Sequence, residues 1–434
     1  MATTSLPRAS NRSAVLAALL SGAQMDRQKL IADTGLSRAT VFRIVDDLMD
    51  DELVHEGGRL VREGRGRQST AVGFNARSAL VCGIDLGGTN CRVVVADALG
   101  RALIRSRGAT PRDATAGELA GWVADRIAGL VAAHGGGTPL RAVSIGVPGV
   151  VSGDGRTVLA SHNLGQIRGT AFVEALSGAV GVPLTVGNDS NVALLGELQY
   201  GSLPDRETAV LLAMGTGLGA AVSMDGRVLV GEQGLLGEFG RLPLPGRHER
   251  LRDLLSGADL VALARGRGAE VTRAQELFAE PAKHAALLAE VREALTHLVS
   301  IVALAYEPRT VVLTGGFSAS FDARTLNAIG DEVADAVGVR SVVRHSGLGD
   351  SAGLLGAMAS SLGRLYDELG ISAEHAATID VDRLTVVERL AACPTADTDP
   401  AGPPSRTTDA PAPPAHRTGP DDGEDPEDSE RREG

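Results

Sequence analysis

The first 76 residues carry apolar side chains at the spacing of amphipathic helices. The first helix is predicted around the apolar group Val15, Leu16, Leu19 and Leu20. Asp26 is a suitable N-cap for a second helix, which ends at Gly35. Ser37 is a suitable N-cap for a third helix, whose buried stripe is Val41, Ile44, Val45 and Leu48. Two helices joined by a short turn with glycine predict a helix-turn-helix.

The outward-facing residues of the third predicted helix are candidates for DNA contacts. They lie at its N-terminal end, and they are Arg38, Ala39, Thr40, Phe42 and Arg43. In helix-turn-helix proteins this end enters the major groove. We predict that Arg38, Thr40 and Arg43 contact base edges and that Phe42 contacts thymine methyl groups.

Two short strands, at 53–56 and 58–61, predict a wing, and the basic stretch 64–68 follows them. Arg65 and Arg67 flank a glycine in this stretch, so it is slim enough for a narrow minor groove. The alternatives are a helical domain that contacts proteins and a simple basic linker. Because the helix-turn-helix and the basic stretch are adjacent and in this order, the sequence favours DNA binding.

From residue 79 to about 372, apolar runs of strand length alternate with helical patterns, which predicts an α/β body. The predicted strands lie at 81–86, 92–96, 101–106, 142–147, 184–187, 209–214, 220–223 and 310–314, and a helix at 118–133. The order strand, glycine turn, strand occurs twice, at Gly87-Gly88 and at 215–219. This duplication predicts two related halves that face one nucleotide.

Several polar residues and glycines follow these strands. Glycine turns allow backbone N–H groups to approach a phosphate, and Asp85 would act there through Mg²⁺ or water. A tight hairpin with a surface aspartate explains the first turn alone equally well. Asp189 begins a predicted helix, so it is either an N-cap or a catalytic base. Gly315-Gly316 end a strand and leave room for a flat ligand edge such as adenine.

Composition places the chain among proteins with aliphatic cores. It has 434 residues, of which 43% are hydrophobic and only 3% aromatic, and this length predicts two to four domains. The three cysteines match no metal motif. No apolar run approaches the ~20 residues of a membrane span, and residues 1–12 lack the apolar centre of a signal peptide. We therefore expect a cytoplasmic protein.

The net charge of −12 is unevenly distributed. Residues 371–434 contain 15 acidic and 6 basic residues, a balance of 6 − 15 = −9, whereas residues 1–76 contain 9 acidic and 10 basic residues. The acidity therefore does not argue against DNA binding by the N-terminal part. Because nine prolines fall between 394 and 426, we predict a disordered acidic tail over 373–434.

The ordered motifs resemble those of the ROK family (repressors, open reading frames and sugar kinases) over about residues 10–372. The motifs are 83–90, 146–149, 188–191 with Gly196-Glu197, 215–219, and Gly315-Gly316. The resemblance implies an actin/hexokinase-like fold of two RNase-H-like lobes. The first lobe would span 79–190, rejoined by about 352–372, and the second 191–351. Members with an N-terminal winged helix-turn-helix are mostly regulators of carbohydrate metabolism whose body senses a sugar.

The resemblance also implies roles for single residues. Nucleotide or phosphate contacts are expected from Asp85, Gly87, Gly88, Thr89, Gly215, Thr216, Gly217, Gly315 and Gly316. Sugar or effector contacts are expected from Gly149, Asn188, Asp189, Glu238, Arg241 and Arg252. In a kinase, Asp189 would take the proton of the attacking sugar hydroxyl, and Asp85 would organise Mg²⁺ beside ATP.

The sequence departs from the family where members usually bind a structural zinc. The zinc-binding histidine is replaced by Arg241, the segment 242–256 has no cysteine, and a sugar-contacting glutamate is replaced by Arg252. We expect no zinc. Arginine donates hydrogen bonds and matches carboxylates and phosphates, so one hypothesis is an anionic effector, such as a sugar phosphate or sugar acid. The other is that both arginines pair with Glu238 or Asp253 and replace the zinc as a structural tie.

The favoured function is that of a transcriptional regulator, expected to be a repressor, that binds an operator as a homodimer or dimer of dimers. A non-enzymatic body is favoured. The alternative is an ATP-dependent sugar kinase that retains a DNA-binding domain and uses Mg²⁺. A third possibility is a regulator without effector, whose body serves only for dimerisation.

Overall fold

The structure is a computed structural model and describes residues 5–60, 69–204, 206–379 and 382–396. The α-helices are α1 (Ser5–Leu19), α2 (Arg27–Thr34), α3 (Arg38–Asp50), α4 (Ala116–His134), α5 (Ala171–Val180), α6 (Asp189–Tyr200), α7 (Leu251–Leu255), α8 (Gly257–Gly266), α9 (Ala274–Ala279), α10 (Ala285–Tyr306), α11 (Ala323–Val337), α12 (Ala352–Glu368), α13 (Ala373–Ala376) and α14 (Arg383–Ala392). The strands are β1 (Met25–Asp26), β2 (Val54–Leu60), β3 (Ser69–Phe74), β4 (Leu80–Leu86), β5 (Asn90–Asp97), β6 (Ala102–Ala109), β7 (Leu140–Val147), β8 (Val150–Val151), β9 (Val158–Ala160), β10 (Leu184–Asn188), β11 (Ala209–Met214), β12 (Leu218–Met224), β13 (Arg227–Val228), β14 (Thr310–Thr314), β15 (Val342–His345) and β16 (Thr395–Ala396).

The predicted caps of the helix-turn-helix are confirmed. The Asp26 carboxylate accepts a hydrogen bond from Lys29 N at 2.8 Å and starts α2, which Gly35 ends in the left-handed conformation. Ser37 Oγ accepts from Thr40 N and starts α3. These bonds satisfy helix N–H groups that have no partner inside the helix. The predicted buried stripe of α3 is also confirmed, namely Val41, Ile44, Val45 and Leu48.

The wing is a β-hairpin of β2 and β3, joined to β1 in the order β1-β3-β2. The prediction of two short strands at 53–56 and 58–61 is wrong. Residues 54–60 form the single strand β2, whose pairing with β3 shifts register between Glu56 and Arg59. Two glycines lie at that shift, and such a pair in a sequence also indicates a turn. The basic stretch 64–68 therefore connects the two strands of the wing. Arg65 and Arg67 lie outside the described residues.

The two lobes of the body repeat one strand pattern. In the first lobe the order β6-β5-β4-β7-β10 combines two antiparallel pairings with two parallel ones, and β16 adds to the β6 edge. In the second lobe the order β13-β12-β11-β14-β15 has the same sequence of pairings. The predicted duplication is thereby confirmed, and with it the fold class of a winged helix-turn-helix followed by a two-lobed α/β body.

Helix α12 returns from the second lobe to pack on the first, and it crosses α6 with backbone against backbone. A side chain at Gly356 would overlap Val192 O of α6, and one at Gly196 would overlap Ala352 O of α12. Gly83 of β4 gives α12 the same close approach to the sheet. The absence of three side chains therefore brings α6, α12 and β4 together.

The expectation of disorder from residue 373 is wrong for 373–379 and 382–396. Helix α14 buries Val386 and Leu390, and β16 pairs in parallel with β6. Arg383 Nη1 donates to Leu203 O, just beyond the end of α6, at 3.1 Å. Val386 and Leu390 have helical spacing, but the acidic, proline-rich residues after them dominate the composition of 373–434, which therefore predicts disorder. The remainder of the predicted tail lies outside the described residues.

The same C-terminal segment contacts the winged helix-turn-helix. Ser13 Oγ of α1 accepts a hydrogen bond from Ser372 N at 2.9 Å and lies 2.8 Å from His375 Nδ1. One continuous apolar cluster also joins α1, α2 and α3 to α12, through residues such as Leu16 and Met358. The winged helix-turn-helix is therefore attached to the body by an apolar cluster and by the hydrogen bonds of Ser13.

We predict that Gly356→Ala lowers the free energy of unfolding by about 1 to 3 kcal/mol, because the added methyl group forces α6 and α12 apart. Gly363→Ala is the matched control on the same helix, since no atom lies within 4 Å of its added carbon. It should be neutral or stabilise by about 0.5 to 1 kcal/mol. Urea unfolding measures both, and equal effects would contradict the close crossing.

Candidate DNA-binding surface and interlobe cleft

The N-terminal half of α3 presents arginine side chains to solvent. Arg38, Ala39 and Arg43 are exposed. Thr40 is half-buried, and its hydroxyl lies 2.9 Å from Ser37 Oγ. The Thr40 hydroxyl is therefore already hydrogen-bonded to the N-cap residue of α3. Of the predicted major-groove residues, the two arginines are the most available for contacts with DNA.

Phe42 lies between two guanidinium groups. Its ring centroid is 4.9 Å from Arg38 Cζ and 4.8 Å from Arg27 Cζ. These cation–π contacts orient both arginines over the outward face of α3. The sequence did not identify Arg27, because it belongs to α2 and only the turn of the motif brings it to α3.

Two acidic residues of α3 and the residue that ends it are paired with arginines from α1 or α2. The ion pairs are Arg27–Asp46 at 2.7 Å, Arg8–Asp47 at 3.2 Å and Arg12–Asp51 at 2.8 Å. Exposed pairs contribute little to stability. They do reduce the negative charge of a surface that would otherwise repel DNA phosphates.

The first predicted phosphate turn, formed by Gly87, Gly88 and Thr89, is bonded to the segment that follows β6. The carbonyl oxygens of Gly87 and Gly88 accept from Thr110 Oγ1 and Arg112 Nε, both at 2.8 Å. The turn is therefore fixed by its carbonyl groups. Asp85, two residues before it, is paired with Arg92 Nη1 at 3.1 Å.

The second predicted phosphate turn, formed by Gly215, Thr216 and Gly217, contacts the start of α8. Gly257 N donates to Gly215 O at 2.8 Å, and Ala258 N donates to Thr216 O at 3.3 Å. The first N–H groups of α8 are thus bonded to the turn, and they are not available to a phosphate in this arrangement.

The predicted adenosine glycines lie beside the second turn. A side chain at Gly315 would come within 2.6 Å of Met214 O, so this position requires glycine. Gly316 O accepts a hydrogen bond from Gln275 Nε2 at 2.9 Å. The structure therefore places both glycine motifs of the second lobe side by side.

Asn188 joins the turn after β7 to the start of α6. Its Oδ1 accepts from Ser190 N at 2.9 Å, and its Nδ2 donates to Gly149 O at 2.8 Å. Gly149 has a φ of +131° and has no room for a side chain beside Ala160 O. Two predicted effector residues thus contact each other directly.

Asp189, the first residue of α6, is held in an environment that disfavours its charge. Burial raises its pKa to about 6. This net value includes a hydrogen bond from Ser190 N, which lowers the pKa, and the charges of Asp85 and Glu238, which contribute to its rise. The predicted site residues Asp85 and Glu238 thus lie near enough for their charges to act on Asp189.

The two arginines predicted to replace the zinc and sugar contacts of the family, Arg241 and Arg252, have carboxylate partners. Arg241 Nε lies 3.2 Å from Glu238 Oε2, as the structural-tie hypothesis required. Arg252 pairs with Asp259 at 3.1 Å, and within the described part of the chain neither of the two predicted partners, Glu238 and Asp253, contacts it through an ion pair. Asp253 instead accepts a hydrogen bond from a backbone N–H at the start of α7.

Within the described ranges, no group of three or more histidine, cysteine, aspartate or glutamate side chains is placed to hold a metal ion. No helix in this part of the chain combines the length and apolar character that crossing a membrane requires.

Residues 81–362 match the profile of the ROK family. Over 232 residues the chain is 26% identical to the xylose repressor of Caldicellulosiruptor bescii, which covers 53% of this chain and 57% of that protein. Over 163 residues it is 31% identical to the glucokinase of Streptomyces coelicolor, which covers 38% of this chain and 49% of that protein. The matches span about half the length of these curated relatives.

The fold is similar to the crystal structure of a ROK family transcriptional regulator that is a homologue of the Escherichia coli MLC protein. The TM-score is 0.66 over 88% of this chain and 99% of that chain. Because the sequence identity is 20%, this likeness establishes the fold alone.

We predict that Asp189→Asn raises the free energy of unfolding by about 2 to 3 kcal/mol near pH 8 and has little effect near pH 4. The folded pKa of Asp189, about 6, lies above its ordinary value, so stability falls as pH rises between the two. The neutral asparagine removes this loss. Urea unfolding across this pH range measures it.

Asp154→Asn is the control, and it should change the free energy of unfolding in the opposite direction. The Ser152 hydroxyl and Arg156 N lower the pKa of Asp154, so its ionised form stabilises the fold. Its replacement should reduce stability near pH 8. A pH-independent effect of Asp189→Asn would contradict the raised pKa.

Proposed function

The chain belongs to the ROK family, and from this premise we propose that it is a DNA-binding transcriptional repressor of carbohydrate-related genes whose body binds a sugar-class effector. The observation that carries the proposal is the winged helix-turn-helix, with the exposed side chains of Arg38 and Arg43 on α3. The matched xylose repressor supports the link between DNA and a sugar. We assign DNA binding to residues 1–76 and effector binding to the cleft between lobes 79–190 and 191–351.

The path from the cleft to the DNA-binding surface runs through packed helices. Asn188 and Asp189 begin α6, and α6 crosses α12 at Gly356. Helix α12 also shares an apolar cluster with α1, α2 and α3. A ligand that favours one position of α6 would therefore bias the orientation of the winged helix-turn-helix.

The ion pairs of Arg241 and Arg252 bear on the chemistry of the effector. Each guanidinium is neutralised by a carboxylate, Glu238 and Asp259 respectively, which favours the structural-tie hypothesis over an anionic effector. Thermal unfolding with hexoses, hexose phosphates and sugar acids separates the two hypotheses. Stabilisation by a neutral hexose alone would exclude a requirement for an anion.

The alternative function is an ATP-dependent sugar kinase, which the matched glucokinase and Asp189 support. A carboxylate whose pKa is raised to about 6 is suited to general-base chemistry near neutral pH. A coupled assay of ADP release over a panel of sugars separates the two functions. Turnover that is lost in Asp189→Asn would favour the kinase.

We predict that Arg38→Ala and Arg43→Ala each weaken operator binding by about 5- to 150-fold, which corresponds to the loss of one base contact. The operator is first identified by sequencing the genomic fragments that the purified full-length protein enriches. Fluorescence anisotropy at one fixed salt concentration then measures affinity, since phosphate contacts depend strongly on salt.

Arg156→Ala, at an exposed arginine of the body, is the matched control and should bind like the wild type. The double substitution of Arg65 and Arg67 by alanine tests the minor-groove prediction and should also weaken binding. Unchanged affinity in every variant would show that the winged helix-turn-helix does not read this DNA.

A further inference from the structure

A guanidinium group lies beside Asp85, where the family resemblance placed a divalent cation. Asp85 Oδ2 is 3.1 Å from Arg92 Nη1, and the aspartate side chain is 20% exposed. Asp85 and Arg92 are direct partners in the register of β4 and β5. Directly opposed cross-strand residues have Cβ atoms about 4.5 to 5.5 Å apart, so the hairpin itself sets this ion pair.

Arg92 is fixed by a second acidic residue. Its Nη1 donates to Asp350 O at 2.7 Å, and its Nη2 donates to Asp350 Oδ2 at 3.2 Å. Asp350 lies two residues before the start of α12. The guanidinium therefore has three acceptors on two elements, and it would have to lose all three contacts to make room for another cation.

The other side of the Asp85 carboxylate is covered by the first turn of α12. A carbon atom added to Gly353 would lie 3.0 Å from Asp85 Cγ and 3.1 to 3.2 Å from its two oxygen atoms. Mg²⁺ requires oxygen ligands at about 2.0 to 2.1 Å and keeps several of its waters. The residues around Asp85 do not fit a hydrated magnesium ion.

The local charges explain why a cation is needed at this position. Asp85 and Asp350 both contact Arg92, and the charge of Asp85 also acts on Asp189. Without Arg92, the negative charges of Asp85 and Asp350 would lie near each other with no cation between them. Arg92 thus supplies in part the charge that a bound divalent ion would supply.

We propose that Arg92 is a built-in cation that replaces a divalent metal at Asp85, so that ligands occupy this part of the cleft without Mg²⁺. The inference goes beyond the proposed function and does not depend on DNA binding. It also distinguishes this protein from a kinase in which a metal ion bound at Asp85 assists phosphoryl transfer.

The experiment is thermal unfolding of the full chain with and without about 10 mM MgCl₂ or MnCl₂ at constant ionic strength. Divalent ions should raise the melting temperature of Arg92→Ala by about 2 to 4 °C, since the vacated position becomes a weak cation site. They should leave the wild type unchanged. The added substitution Asp85→Asn should abolish the shift in Arg92→Ala.

Arg107→Ala is the matched control, because Arg107 is exposed and lies opposite Arg92 in the register of β6. It removes one positive charge from the same sheet and should respond to divalent ions like the wild type. The proposal is overturned if divalent ions shift the wild type as much as Arg92→Ala, or shift neither protein.

A second measurement needs no Arg92 variant. Titration of the wild type with Mn²⁺, followed by electron paramagnetic resonance, should show no bound ion that depends on Asp85. A Mn²⁺ site in the wild type that disappears in Asp85→Asn would overturn the proposal.

Discussion

Two helices cross at Gly196 and Gly356 without intervening side chains, and the rest of the body is arranged around that contact. Helix α6 begins at the cleft with Asp189, and α12 lies against β4 through Gly83. Packed interiors resist small displacements because each atom is already in contact with its neighbours. A ligand that displaced the start of α6 would therefore displace α12 as well, and α12 packs in the apolar cluster shared with α1, α2 and α3.

In both candidate sites, acidic side chains are paired with arginine side chains. On α3, arginines from neighbouring helices neutralise Asp46, Asp47 and Asp51. In the cleft, Arg92 and Arg241 neutralise carboxylates that a metal or a substrate would otherwise meet. On α3 and at Asp85 the partners come from another helix or strand, whereas Glu238 is paired with Arg241 three residues further along the chain.

Local features were predictable because their causes lie within a few residues. Asp26, Gly35 and Ser37 form the caps that the sequence indicated, and the glycine turns end the strands where they were expected. Contacts between distant elements were not predictable. Arg27 meets Phe42 from another helix, and Arg252 meets Asp259 across a helix boundary, so spacing along the chain did not reveal either pair.

The contact between Ser13 and His375 joins residues 362 positions apart, and it has a consequence for the order in which the protein matures. During synthesis the N-terminal domain leaves the ribosome first and can fold as a unit. Its attachment to the body is completed only after α12 and the segment around His375 have also emerged. An N-terminal domain on a nascent chain would thus be present without the contacts that attach it to the body.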